Sequence, residues 1–211
     1  MEPTFVTFPD SKFLDIAAYS YAYFKQYAEA SSSIDQTQLA IAATILLNAY
    51  KNSKTLYVCG NGGSASISNH LACDHGKLLA TDTDLQPRIQ SLSTNIEVIT
   101  AIANDISYDQ VFVHQLKLVA NPGDILMTVS SSGDSENVVQ AAQWASDFGL
   151  DVISMTGFLG GRTAKISTVN LHVDGDNYGV IEDVHQSLMH LLGQYLRQLS
   201  MDEGLIQKRK F

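Results

Sequence analysis

The chain has 211 residues, of which 45% are apolar and 17% charged, enough to bury a sizeable core and too apolar for a disordered segment. A formal charge of -9 speaks against a nucleic-acid surface, which needs Lys and Arg to neutralise backbone phosphates. No apolar run is long enough to cross a bilayer, and the amino terminus lacks the pattern of a secretory signal, so the expectation is a cytoplasmic protein without nucleic-acid or membrane partners. In chain order, residues 11–29 and 33–52 read as amphipathic helices, the first rich in aromatics, the second capped near Ser33 and Asp35. Apolar, β-prone runs follow at 55–59, 88–92, 125–129, 152–156 and 169–173, the pattern of buried parallel strands. Between and after them, residues 65–79, 95–103, 108–118, 136–148, 161–166 and 180–199 have helical spacing or composition. Alternating strands and helices predict an α/β fold with a doubly wound parallel sheet of five strands, whose ligands sit beyond the strand carboxyl ends.

Two strand-to-helix loops answer that rule. Residues 59–65 carry Gly60, Asn61, Gly62, Gly63 and Ser64, where glycines let successive N–H groups converge on an anion and the helix N-terminus adds free donors. Residues 130–135 place Ser130, Ser131, Ser132 and Ser135 before the next helix; one Ser explains a cap, and the others point to an oxygen-rich anionic ligand. Neither loop has the Gly-Lys-Ser/Thr of an NTPase or the G-x-G-x-x-G of a dinucleotide site, so no nucleotide cofactor is expected. The cluster of Gly157, Gly160 and Gly161 has no hydroxyl and reads as a chain turn. Cys59 and Cys73 read as reduced core thiols.

Titratable side chains gather on two helical stretches. His70 and Asp74 are four residues apart, on one face of the helix that follows Ser64. Glu182, Gln186 and His190 step at the same interval, yet Glu182 and His190 are about 12 Å apart along a straight helix. Such groups suit acid–base work and metal binding alike.

The Gly60 to Ser64 loop, His70, the pair Asn104 and Asp105, Pro122 with Gly123 and Asp124, the Ser130 to Ser135 loop and the helix with His185 and His190 together resemble the sugar isomerase (SIS) domain, in its phosphoheptose isomerase branch. The resemblance spans most of the chain. It implies a three-layer, flavodoxin-like sheet, and one SIS domain over residues 1–211, with a helical oligomerisation segment at 1–53 and a sugar-phosphate-binding core at 54–203. It implies a homotetramer with active sites at subunit boundaries, and aldose–ketose isomerisation of a sugar phosphate, sedoheptulose 7-phosphate to D-glycero-D-manno-heptose 7-phosphate, for surface polysaccharide. By matched position, Asp74, where the family has Glu, is the base and His190 the acid. Asn61, Gly62, Gly63, Ser64, Asp105, Ser130, Ser131, Ser132, Ser135 and Glu182 hold the substrate, and His70, Asp74, Glu182 and His190 are a possible zinc site. Glu182 and Gly179 stand where those isomerases have Gln and Asp. Two other readings on the same scaffold are a non-catalytic adaptor that binds a replication initiator and an amino-sugar phosphate enzyme or sensor.

Overall fold

A computed structural model describes residues 7–211. Two helices, α1 (Ile16–Ser32) and α2 (Gln36–Lys51), precede the sheet. Each starts at an aspartate: Asp15 accepts from the amides of Ala17 and Ala18, and Asp35 from those of Thr37 and Gln38. The predicted cap near Ser33 resolves accordingly. Asp35 caps α2, while the Ser33 hydroxyl donates to Ala30 O and closes α1.

The chain then runs β1 (Thr55–Cys59), α3 (Gly62–Leu78), β2 (Arg88–Ser91), α4 (Ile96–Asp105), a short 3-10 turn at Tyr108–Gln110, α5 (Val113–Val119) and β3 (Ile125–Val129). It continues through α6 (Glu136–Asp147), β4 (Asp151–Thr156), α7 (Thr163–Ile166), β5 (Val169–His172), α8 (Tyr178–Ser200) and α9 (Glu203–Ile206). All five strands pair in parallel in the order β2-β1-β3-β4-β5. The chain leaves β1 toward β2 on one side and returns to β3 on the other. The ends of β1 and β3 therefore flank the switch point where ligands of such sheets bind.

Both faces of the sheet are covered, which explains the unbroken apolar runs. Leu56, Val58, Met127 and Ile153 face a core shared with α2, α3 and α8, whereas Tyr57, Cys59, Leu126 and Val152 face a second core with α5 and α6. Successive residues of one strand thus anchor opposite layers, as the two-residue repeat requires. Burial at the second core pushes the Cys59 thiol up to about 12, leaving it protonated at neutral pH, whereas Cys73, expected in the core as well, is exposed on the helix surface.

Among the described residues no helix is long and apolar enough to cross a membrane. α1 packs along α8, with Tyr23 donating to Asp183 at 2.7 Å and Tyr27 bonded to Ser187 at 2.7 Å.

Candidate active site

The loop after β1 delivers its glycines to the N-terminus of α3. Gly62 sits at φ +53°, where a side chain would be strained, and opens the helix. Asn61 occupies the capping position but makes no side-chain cap. It pairs across to α6 instead: Asn61 Nδ2 donates to Asn137 Oδ1 at 2.9 Å and Asn137 Nδ2 to Asn61 Oδ1 at 3.0 Å. The first-turn amides of Gly62, Gly63 and Ser64 are left without a cap, and they carry the positive end of a 17-residue helix. The reciprocal amide pair ties this loop to the one after β3. Gly60 tightens the joint, because a Cβ there would come within 2.7 Å of Val129 O and of Ser64 O. The two loops predicted to share an anion are therefore neighbours at the switch point.

The serine loop has an uncapped helix as well: Ser135 stands before α6 and makes no side-chain cap. Ser130 and Ser132 accept from the amides of Gly133 and Asp134, which shapes the turn. Beneath it lies the segment that reads in sequence as a mere turn. Gly157 N donates to Ser131 O at 2.8 Å and Thr163 N to Gly133 O at 2.9 Å, and a Cβ at Gly161 would meet Gly133 and Ser132 backbone. The third glycine cluster is thus the seat of the serine loop, and its glycines are needed for close backbone approach. Among the described residues, the buried hydroxyls of Ser131 and Thr163 have no hydrogen-bond partner.

Farther along α3, three titratable groups meet. Asp74 Oδ2 is 3.3 Å from His70 Nε2 and 3.4 Å from His190 Nε2, with the two imidazole rings 5.0 Å apart and nearly perpendicular. Gln186, one turn before His190, donates from Nε2 to His70 Nδ1 at 2.9 Å. Helical spacing thus worked on both elements: the i, i+4 pair of α3 meets the i, i+4 pair of α8.

Glu182 of the same chain lies outside this group. Its carboxylate sits where a Cβ on Gly63 would be, beside the α3 N-terminus. The physical reason is the rise of α8, which separates Glu182 from His190 by about 12 Å. Burial raises the Glu182 carboxyl above the usual range, with the Asp183 charge adding to it.

The three remaining groups fit a metal ion. Ligands about 2.0–2.1 Å from a tetrahedral zinc stand about 3.3–3.4 Å apart. The two nitrogen-to-oxygen separations at Asp74 have those values, and two imidazoles with one carboxylate leave a fourth position open.

The other sequence candidates separate clearly. Asp105 ends α4, exposed, and accepts from Asn104 Nδ2 at 2.8 Å. His75 is buried, takes a bond from Tyr50 OH and donates to Met189 O; His185 is buried and donates to Thr156 O. Both are neutral packing histidines, their pKa lowered by desolvation, that of His185 to about 4. Sequence reasoning missed two residues at the loops, Asn137 and Tyr108, whose hydroxyl donates to Asn61 Oδ1 at 2.9 Å.

A family model described as SIS domain matches residues 21–157. This chain belongs to the SIS domain family. Proteins of Thermoplasma volcanium and Helicobacter pylori, named probable phosphoheptose isomerase and phosphoheptose isomerase, are 33% and 32% identical to it. Those matches cover 86% and 84% of this SIS domain protein and 90% and 92% of the relatives. The solved phosphoheptose isomerase GmhA of Neisseria gonorrhoeae superposes with a TM-score of 0.78 at 29% identity, over 86% of this chain and 96% of its own. A phosphoheptose isomerase of Francisella tularensis gives 0.77 at 29% identity, over 87% and 96%. The SIS domain expectation, with its phosphoheptose isomerase branch and its five-stranded parallel sheet, is borne out.

Proposed function

We propose that this chain is a phosphoheptose isomerase, an aldose–ketose isomerase that interconverts sedoheptulose 7-phosphate and D-glycero-D-manno-heptose 7-phosphate in the cytoplasm. The observation that carries the reading is the pairing of two uncapped helix N-termini at the switch point with a His–Asp–His group farther along one of the same helices.

The phosphate lies between the first-turn amides of α3 and the serine loop, with Ser64, Ser130, Ser132 and Ser135 donating hydroxyls and Gly62 and Gly63 offering backbone N–H. His70 and Asp74 lie about 9 and 15 Å beyond Ser64 along the helix axis, and their side chains tilt back toward its start. An extended seven-carbon sugar with its phosphate spans about 10 Å, given carbon–carbon bonds of about 1.5 Å. A heptose held by its phosphate therefore brings its first two carbons to that turn, whereas a triose falls short.

Asp74 takes the proton from the carbon beside the carbonyl and returns it to the neighbouring carbon, and His190 supplies and removes the proton on the oxygens. His70, fixed by Gln186, holds the Asp74 carboxylate in place. Glu182, Asp105, Asn61 and Ser131 accept from or donate to substrate oxygens. His70, Asp74 and His190 would also hold a zinc ion, which when bound supplies Lewis-acid polarisation of a carbonyl oxygen. The chain acts as one domain and a homotetramer, with residues 1–53 as the oligomerisation segment. Exposed Ile16, Tyr21 and Phe24 on α1 and Leu191, Tyr195 and Leu199 on α8 support that assembly.

Incubation of the purified protein with sedoheptulose 7-phosphate, with and without added zinc, tests the proposal by the appearance of the aldose. No aldose under either condition rejects this substrate.

A further inference from the structure

The serine loop carries an unusual charge load for an anion site. Asp134 lies inside it and Glu136 opens α6, so two carboxylates flank a helix terminus that would otherwise attract phosphate. Unopposed, both would repel a dianionic ligand and cancel much of what the amides offer.

Arg162, in the turn before α7, reaches both. Its Nε donates to Asp134 Oδ1 at 2.5 Å, its Nη1 to Glu136 Oε2 at 2.8 Å and its Nη2 to the backbone carbonyl of Asp134 at 3.0 Å. Three acceptors, one of them main-chain, thus share one guanidinium, using the rigid fork that lysine lacks. The bond from Arg162 holds the Asp134 carboxyl below the usual range; Gln140 first and Arg162 second do the same for Glu136. Arg162 is also continuous with the glycine turn that seats the loop from below.

We propose that Arg162 is a positioning residue of the phosphate site: it cancels Asp134 and Glu136 and pins the serine-loop backbone, so an incoming phosphate meets amides and hydroxyls. The inference rests on the phosphate reading of the two loops. It differs from direct ligation in that three of the five guanidinium N–H donors are already engaged by Asp134 and Glu136. At the half-exposed surface this cluster contributes little to folding, so variants there should remain folded.

The test compares wild type, Arg162→Met, Arg162→Lys and the triple variant Arg162→Met with Asp134→Asn and Glu136→Gln. Calorimetry reads inorganic phosphate binding, steady-state assays read KM and kcat for sedoheptulose 7-phosphate, and thermal melts check folding. Arg162→Met should weaken phosphate binding and raise KM by roughly three- to tenfold, with kcat changed less than about twofold and the penalty shrinking as salt rises. Arg162→Lys should fall between. The triple variant, with no carboxylates left to oppose, should recover to within about twofold of wild type. Unchanged phosphate binding in Arg162→Met overturns the inference, and so does a triple variant no better than the single one, which would mean that Arg162 ligates phosphate itself. A wild type that binds neither phosphate nor sugar phosphate overturns the loop reading and this inference together.

Discussion

Replacing His185 with glutamine should flatten the acid limb of this protein's stability. The imidazole is fully buried, Nε2 donates to Thr156 O at 3.2 Å, and Nδ1 has no partner among the described residues. A proton added at Nδ1 would be charged, desolvated and unpaired, which is why burial lowers the pKa from 6.5 to about 4. The unfolded chain regains the ordinary value, so below about pH 6.5 it binds a proton that the folded chain refuses. Stability from this residue is complete above that pH and falls as the medium is acidified, levelling off near pH 4, where the folded form is protonated too. At about pH 5 the loss comes to about 2 kcal/mol, and at about pH 7.5 it is close to zero. His75, likewise lowered by desolvation, adds to the loss in both proteins and cancels in the comparison. Urea unfolding at one fixed protein concentration, at both pH values, gives the two slopes. Wild type should lose about 2 kcal/mol more than His185→Gln between them. Equal losses, to within about 0.5 kcal/mol, would refute the claim that a neutral His185 is built into the fold.

The remaining predictions concern the loops and the base. Asp74→Asn should lower kcat by roughly 10²- to 10⁴-fold in the isomerase assay while leaving phosphate binding in place, because it removes the proton acceptor and not the clamp. Gly60→Ala should cost roughly 1–3 kcal/mol in urea unfolding and weaken phosphate binding, since the atoms its Cβ meets are backbone of both loops and have no rotamer to escape into. Tyr50→Phe should cost about 1–3 kcal/mol in urea unfolding, as it strands the buried Nδ1 of His75.

Much of the fold was legible because each strand is buried on both faces and therefore spelled as an apolar run. The bounds of Thr55–Cys59 and Ile125–Val129 follow from sequence alone. The first helix was placed too early, since Phe13 lies in register with the apolar helical face while the real start is set by Asp15 accepting two amides. The short α9 had no pattern of its own, nor had the buried Arg197, held by Asp82 115 residues away in sequence. At the site, the four-residue intervals on α3 and α8 announced His70 with Asp74 and Gln186 with His190, because helix geometry is local. What joins the two pairs is the crossing of helices, which no interval encodes, whereas the rise along α8 that sets Glu182 apart from His190 is local and legible in the sequence. The seat under the serine loop escaped for the same reason: glycines that permit close approach look like glycines that merely turn the chain.

The account stands or falls on whether one phosphate bridges the two loops. Crystals grown with sedoheptulose 7-phosphate decide it. The phosphate should lie within hydrogen-bond distance of the Gly62, Gly63 and Ser64 amides and of the serine-loop hydroxyls at once, with the sugar extending toward Asp74. A phosphate held by only one loop, or a sugar pointing away from Asp74 and His190, would contradict it.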